Sequence, residues 1–157
     1  MVPALSVGRT HAAQQPAGQG RLFGLTHQHG PAELARAVLE GVGYALADGM
    51  DVVHACGIKP QSITLIGGGA RSAYWRQMLA DISGQQLDYR TGGDVGPALG
   101  AARLAQLAVH DEADRAGLLK PLPLEQAHRP DDRRVAHYAP QRETFRQIYQ
   151  QLKPLMS

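Results

Sequence analysis

Ser62-Ile63-Thr64-Leu65-Ile66-Gly67-Gly68-Gly69-Ala70-Arg71-Ser72 is the stretch on which the reading of this chain turns. Its first half is short, β-branched and bounded by Pro60 and Gly67, which predicts a buried strand. From Ser72 to Ser83 the pattern is helical, with Trp75, Met78, Leu79 and Ile82 on one side and Gly84 as the stop. Glycines between a strand and a helix let a ligand approach the backbone. The helix start beyond them offers free N–H groups and a partial positive charge. Such a turn suits the phosphates or ribose of a nucleotide, although an ordinary strand-to-helix turn accounts for the pattern as well. It is not a Walker A loop, because no Gly-Lys-Ser/Thr ending follows, and it lacks the third glycine of a dinucleotide fingerprint.

Downstream, Gln86-Leu87-Asp88-Tyr89 reads as a second, shorter strand. A further glycine turn, Gly92 to Gly96, leads into Pro97 and a helix running to about Val109. Asp94 stands where a helix cap is expected. The small residues Ala98, Ala101, Ala102 and Ala105 give that helix a face suited to close packing. Upstream, Pro31 and Glu33 mark a helix start, and Leu34, Val38, Val42, Leu46, Met50 and Val53 recur at steps of three and four along one face. Gly41, Gly43 and Gly49 invite close approach of a neighbour, and Gly57 ends the helix. Residues 1–23 read as an irregular lead-in, and His110 to Arg134 as a proline-broken loop with at most a turn of helix. A last helix is expected from about Pro140 to Lys153, carrying Phe145, Ile148, Tyr149 and Leu152. The order is α/β in character. Two strands alone make a marginal sheet, so the sequence looks incomplete as a domain.

Composition narrows the function classes. The chain has 157 residues, 43% hydrophobic and 19% charged, with a formal net charge of +2, which gives no electrostatic case for nucleic acid or an anionic membrane. No apolar run approaches the about 18 residues of a membrane span, and a cytoplasmic protein is expected. The single Cys56 forms no internal disulfide and reads as a small buried apolar group. His27 and His29 fall in a loop, while His54 and Cys56 sit two apart on a helix and point different ways, so no metal site is expected. Arg71 and Arg76 read as solvated helix-surface arginines, with a phosphate contact as the alternative, and Trp75 as core. Glu40 and Asp48 lie near one face of the long helix, but nothing in the sequence builds a catalytic cleft around them.

Three stretches carry a family resemblance. Gly24-Leu25-Thr26-His27-Gln28-His29-Gly30 with Ala35-Arg36-Ala37-Val38-Leu39-Glu40-Gly41 resembles the C-terminal signature of the FGGY carbohydrate kinases. Leu65-Ile66-Gly67-Gly68-Gly69-Ala70-Arg71-Ser72 resembles that family's adenosine-binding turn, and Gly96-Pro97-Ala98-Leu99-Gly100-Ala101-Ala102 its later helix-opening motif. Within the family, Gly24 to Leu107 and Arg142 to Met156 look most like the xylulokinase subfamily. The resemblance implies the C-terminal piece, residues 24–157, of the second domain of an actin-like (ribonuclease H-like) kinase. It implies ATP in an interdomain cleft, Mg²⁺ on its phosphates and D-xylulose as acceptor. Carried over to this sequence, Gly68 and Gly69 would lie against the nucleotide, with Ala70 alongside and Ser72 just beyond, where some relatives bring an asparagine. The family's catalytic aspartate, its first phosphate loop and most of its sugar contacts fall in segments upstream of residue 1. The lead-in Gly8-Arg9-Thr10-His11 also departs from the usual Glu-Arg-Thr-Pro. The expectation is therefore a portion inactive alone, needing its N-terminal half or a second subunit. The alternatives are a non-catalytic nucleotide-binding or pairing module, or a truncated remnant.

Overall fold

A computed structural model of the chain describes residues 4–6, 20–93, 96–110 and 115–155. The longest element, α1 (Pro31–Ala55), starts at the expected proline, and the Gly30 N–H donates to Glu33 Oε2 at 2.8 Å. Its buried side is not the apolar stripe that the spacing picks out. Ala37, Gly41, Gly43, Tyr44, Ala45 and Ala47 go inside, while Val38, Leu46 and Val53 remain 45%, 47% and 41% exposed. Small residues win that face because they admit a neighbouring helix closely: a Cβ on Gly43 would stand 2.7 Å from Ile82 Cδ1.

That neighbour is α2 (Ala73–Ser83), which Gly84 closes in the left-handed conformation at φ 65°. Before it comes β3 (Thr64–Leu65), two residues long where five were expected. After it comes β4 (Leu87–Arg90), parallel to β3 with Leu65 opposite Tyr89. A third strand, β5 (Leu124–His128), pairs antiparallel with β4, Leu87 opposite His128 and Tyr89 opposite Gln126. The sheet order is β3-β4-β5. This corrects the reading of His110 to Arg134 as loop. Pro121, Pro123 and Pro130 flank β5 rather than interrupt it, and prolines are tolerated at the ends of such a strand.

The last helix, α5 (Asp132–Leu152), begins eight residues ahead of Pro140 and carries that proline inside. Asp131 explains the earlier start, because its side chain accepts from the N–H groups of Arg133 and Arg134. Tyr138, Phe145, Ile148 and Tyr149 are buried along α5. Tyr138 and Phe145 join Tyr44, Ala45, Ala47, Met78 and Ile82 in the main core, with Trp75 packed against it as expected. Asp48 is gripped by Arg142 and Arg146 across the α1–α5 seam at 2.8 and 2.7 Å.

The helix α3 (Gly96–Val109) forms as predicted, but Ala98, Ala101, Ala102 and Ala105 are exposed rather than packed. One turn, α4 (Arg115–Leu118), follows. Within the stretch read as an irregular lead-in, β1 (Ala4–Ser6) and β2 (Arg21–Phe23) pair as an antiparallel ribbon. Cys56 is exposed, not buried, because it lies past the packed length of α1. Asp94 falls outside the described residues.

Candidate functional site

Two residues past β3, Gly67 stands at φ +95°, a conformation that side chains disfavour, and its N–H donates to the Gly93 carbonyl at 2.7 Å. That bond ties the two glycine turns together. The chain then tightens into a 3₁₀ turn, Gly68–Arg71, in which Ala70 N donates to Gly67 O at 3.0 Å and Ser72 N to Gly69 O at 3.2 Å. The first amides of such a turn have no acceptor within it, and Gly68 and Gly69 are both exposed.

The four residues marked from sequence therefore come together on one turn, in different environments. A Cβ on Gly68 would meet nothing within 4 Å. On Gly69 it would run into the Trp75 ring, with Cε3 at 2.7 Å, so one side of this glycine is occupied by the protein itself. Ala70 is buried, and its carbonyl accepts from Arg76 Nη1 at 2.6 Å. Ser72 is exposed, and its hydroxyl caps α2 by accepting from Trp75 N at 3.3 Å. Gly68 is thus the open position of the turn.

Sequence reasoning misplaced Arg76. It is 6% exposed, not a solvated surface residue. Nε donates to His128 Nε2 at 2.8 Å, Nη2 donates to Gln126 Oε1 at 2.9 Å, and the guanidinium lies 4.0 Å from the centroid of the Tyr89 ring. No local pattern in the chain signals this network, because two of the partners lie on β5, about fifty residues away. Burial and the Arg76 charge hold His128 below the ordinary histidine pKa of 6.5, with Asp81 pulling the other way.

Two other concavities lie away from the turn. One, about 400 Å³, is lined by Arg36, Tyr74, Asp81, Arg134, His137 and Tyr138 among others. The other, about 350 Å³, is an apolar groove of Leu46, Gly49, Met50, Val53, Pro60 and Ile63, with His54 at its side. Among the described residues no group of three or more His, Cys, Asp or Glu side chains could hold a metal ion. None of the described helices is long and apolar enough to cross a membrane.

Residues 1–109 match the model of the FGGY family of carbohydrate kinases, C-terminal domain. The chain is 81% identical over 156 residues to the xylulose kinase of Klebsiella pneumoniae and 74% identical to that of Escherichia coli K12, covering 99% of this chain and 32% of each relative. It thus spans about a third of the length of these curated relatives. Its fold matches the crystal structure of xylulose kinase from Rhodospirillum rubrum with a TM-score of 0.78 at 23% identity, covering 99% of this chain and 31% of that one. Its three-stranded sheet and packed helices are part of an actin-like α/β fold, and the chain belongs to the FGGY family of carbohydrate kinases.

Proposed function

We propose that the chain is the nucleotide-side portion of a xylulose kinase, in which ATP phosphorylates D-xylulose to D-xylulose 5-phosphate. Gly68 and Gly69 receive the adenine nucleotide, with Ala70 and Ser72 shaping the turn. The observation that carries this reading is the 81% identity to a xylulose kinase over 99% of the chain. The exposed glycine turn supports it physically, since main-chain amides at a helix start attract anions.

Phosphoryl transfer rests on positioning, charge neutralisation and a carboxylate that accepts the hydroxyl proton. Several carboxylates of this chain are committed elsewhere: Glu40 to Arg36 at 2.6 Å, Asp48 and Asp51 to Arg142 and Arg146, and Asp81 to Arg134. The base, the Mg²⁺ ligands and most sugar contacts are assigned to the remainder of the kinase, joined to this chain or supplied as a second subunit. The uncovered apolar stripe of α1 supports such a pairing. A cytoplasmic location goes with this reading, since its nucleotide is drawn from the cell interior.

Titration calorimetry with ATP tests the turn. Gly68→Val places a side chain where the protein itself has nothing, so its effect reports the ligand. About a tenfold loss of affinity is expected from displacing one such contact. Equal affinity in the wild type and the variant would exclude the turn, and no heat from the wild type at millimolar ATP would limit nucleotide binding to the joined kinase.

A further inference from the structure

Arg76 sits beneath the glycine turn, and among the described residues none of its hydrogen bonds goes to a carboxylate. Its acceptors are the Ala70 carbonyl, the His128 ring and the Gln126 amide oxygen, with the Tyr89 ring against its face. Burying a guanidinium is costly unless its donors are satisfied, and here the acceptors come from two elements, the 3₁₀ turn and β5, while β4 supplies the ring against its face. One side chain of α2 therefore fixes the 3₁₀ turn relative to β4 and β5 at once.

We propose that Arg76 is a positioning residue for the nucleotide turn, locked in place by His128 and Gln126 of β5. This rests on the glycine turn being the nucleotide contact. The lock requires a neutral imidazole. His128 Nε2 accepts from Arg76, so the ring proton belongs on Nδ1, which faces Gln77 Oε1 at 3.2 Å. A proton on Nε2 removes the acceptor and sets two cations side by side.

The groups facing His128 are Arg76 and Asp81 of α2 and, across the Arg76 plane, Tyr89 of β4. Asp81 is itself bound by Arg134 and by the Asp131 N–H at the start of α5. Burial, then the Arg76 charge, keep the folded pKa below 6.5, with Asp81 opposing. The sign follows from linkage. Above the ordinary histidine pKa both folded and unfolded rings are neutral and the network is intact. As pH falls below it the unfolded chain takes up the proton first, and stability declines until the folded ring also protonates and releases Arg76.

Trp75, the one tryptophan, packs against Gly69, so its emission reports the turn directly. Emission and ATP affinity are measured on the purified chain from neutral to mildly acidic pH, with circular dichroism as the check on folding. The wild type is expected to show one emission transition on the acid side of the ordinary histidine range, with affinity falling about tenfold across it, the loss of one charged hydrogen bond. His128→Gln keeps an acceptor for Arg76 Nε, so it retains neutral-pH affinity and loses the transition. His128→Leu and Arg76→Lys bind about tenfold more weakly than the wild type at neutral pH, for the same reason, and lose nothing further on acidification. An Arg76→Lys chain that binds ATP as the wild type does, while Gly68→Val does not, overturns the positioning role and leaves the turn intact as the site. Should Gly68→Val also bind normally, the turn reading itself fails. The emission transition then decides the Arg76 lock: its loss in His128→Gln supports the lock, and its persistence overturns it.

Discussion

Gly69 must be a glycine even before any ligand is considered. A side chain there collides with the Trp75 ring, whose position is set by packing between the main core and the smaller cluster of Leu79, Ala80 and Leu87. Gly69→Val is therefore expected to lower stability by about 1–3 kcal/mol through overpacking and to alter Trp75 emission without nucleotide. Thermal melts read by circular dichroism check the first effect. A melting temperature equal to the wild type's would mean that the ring yields freely. Weakened ATP binding in this variant is consequently ambiguous, which is why Gly68 is the sounder probe. At this scale the sequence disclosed the glycines but not the reason for each. The strand-turn-helix pattern put Gly68, Gly69, Ala70 and Ser72 on one turn because that information is local. The burial of Arg76 and its bond to His128 depend on a strand about fifty residues further on, and no spacing rule reaches that far.

Among the elements, α1, α2, α3 and β4 were legible from periodicity and stop signals, whereas β5 and the true start of α5 were not. In both failures proline was read too strictly. Pro123 and Pro130 border β5, where they cost no ladder bond. Pro140 lies inside α5, where the buried Tyr138 and Phe145 on either side of it outweigh the missing N–H. The seam between α1 and α5 is fastened by Asp48, whose Oδ1 accepts from both Arg142 and Arg146, while both arginines also reach Asp51. Asp48→Asn keeps the size and removes the charge. A loss of about 2 kcal/mol in urea unfolding is expected for these charge-assisted bonds. The partners act as a unit, so adding Arg146→Gln should cost less than the sum of the two single changes. Strict additivity would show that the cluster is only a set of exposed ion pairs worth little.

For the whole molecule, the α1 stripe explains why sequence pattern and burial disagree. Leu46, Met50 and Val53 recur with helical spacing as a buried face does, yet they line an apolar groove instead of a core. The pattern is sound, and its complement is not among the described elements. Chemistry follows the same division: several of the described carboxylates are bound to arginines, and the proton acceptor is assigned to the remainder of the kinase. Purified chain is thus expected to release no ADP in response to D-xylulose in a coupled assay. Sugar-dependent turnover would place the base within these 157 residues.

The sheet carries one more implication. Strand β3 is two residues long and, among the described residues, has β4 on one side only, and it stands near the groove through Ile63. So short a flank is a weak template for pairing, and the apolar groove of Leu46, Met50 and Val53 is the surface that drives intermolecular adhesion. Produced without a companion, this polypeptide should behave as a chaperone client whose recovery falls steeply with concentration, and a fused or co-expressed companion would be seen first as improved yield.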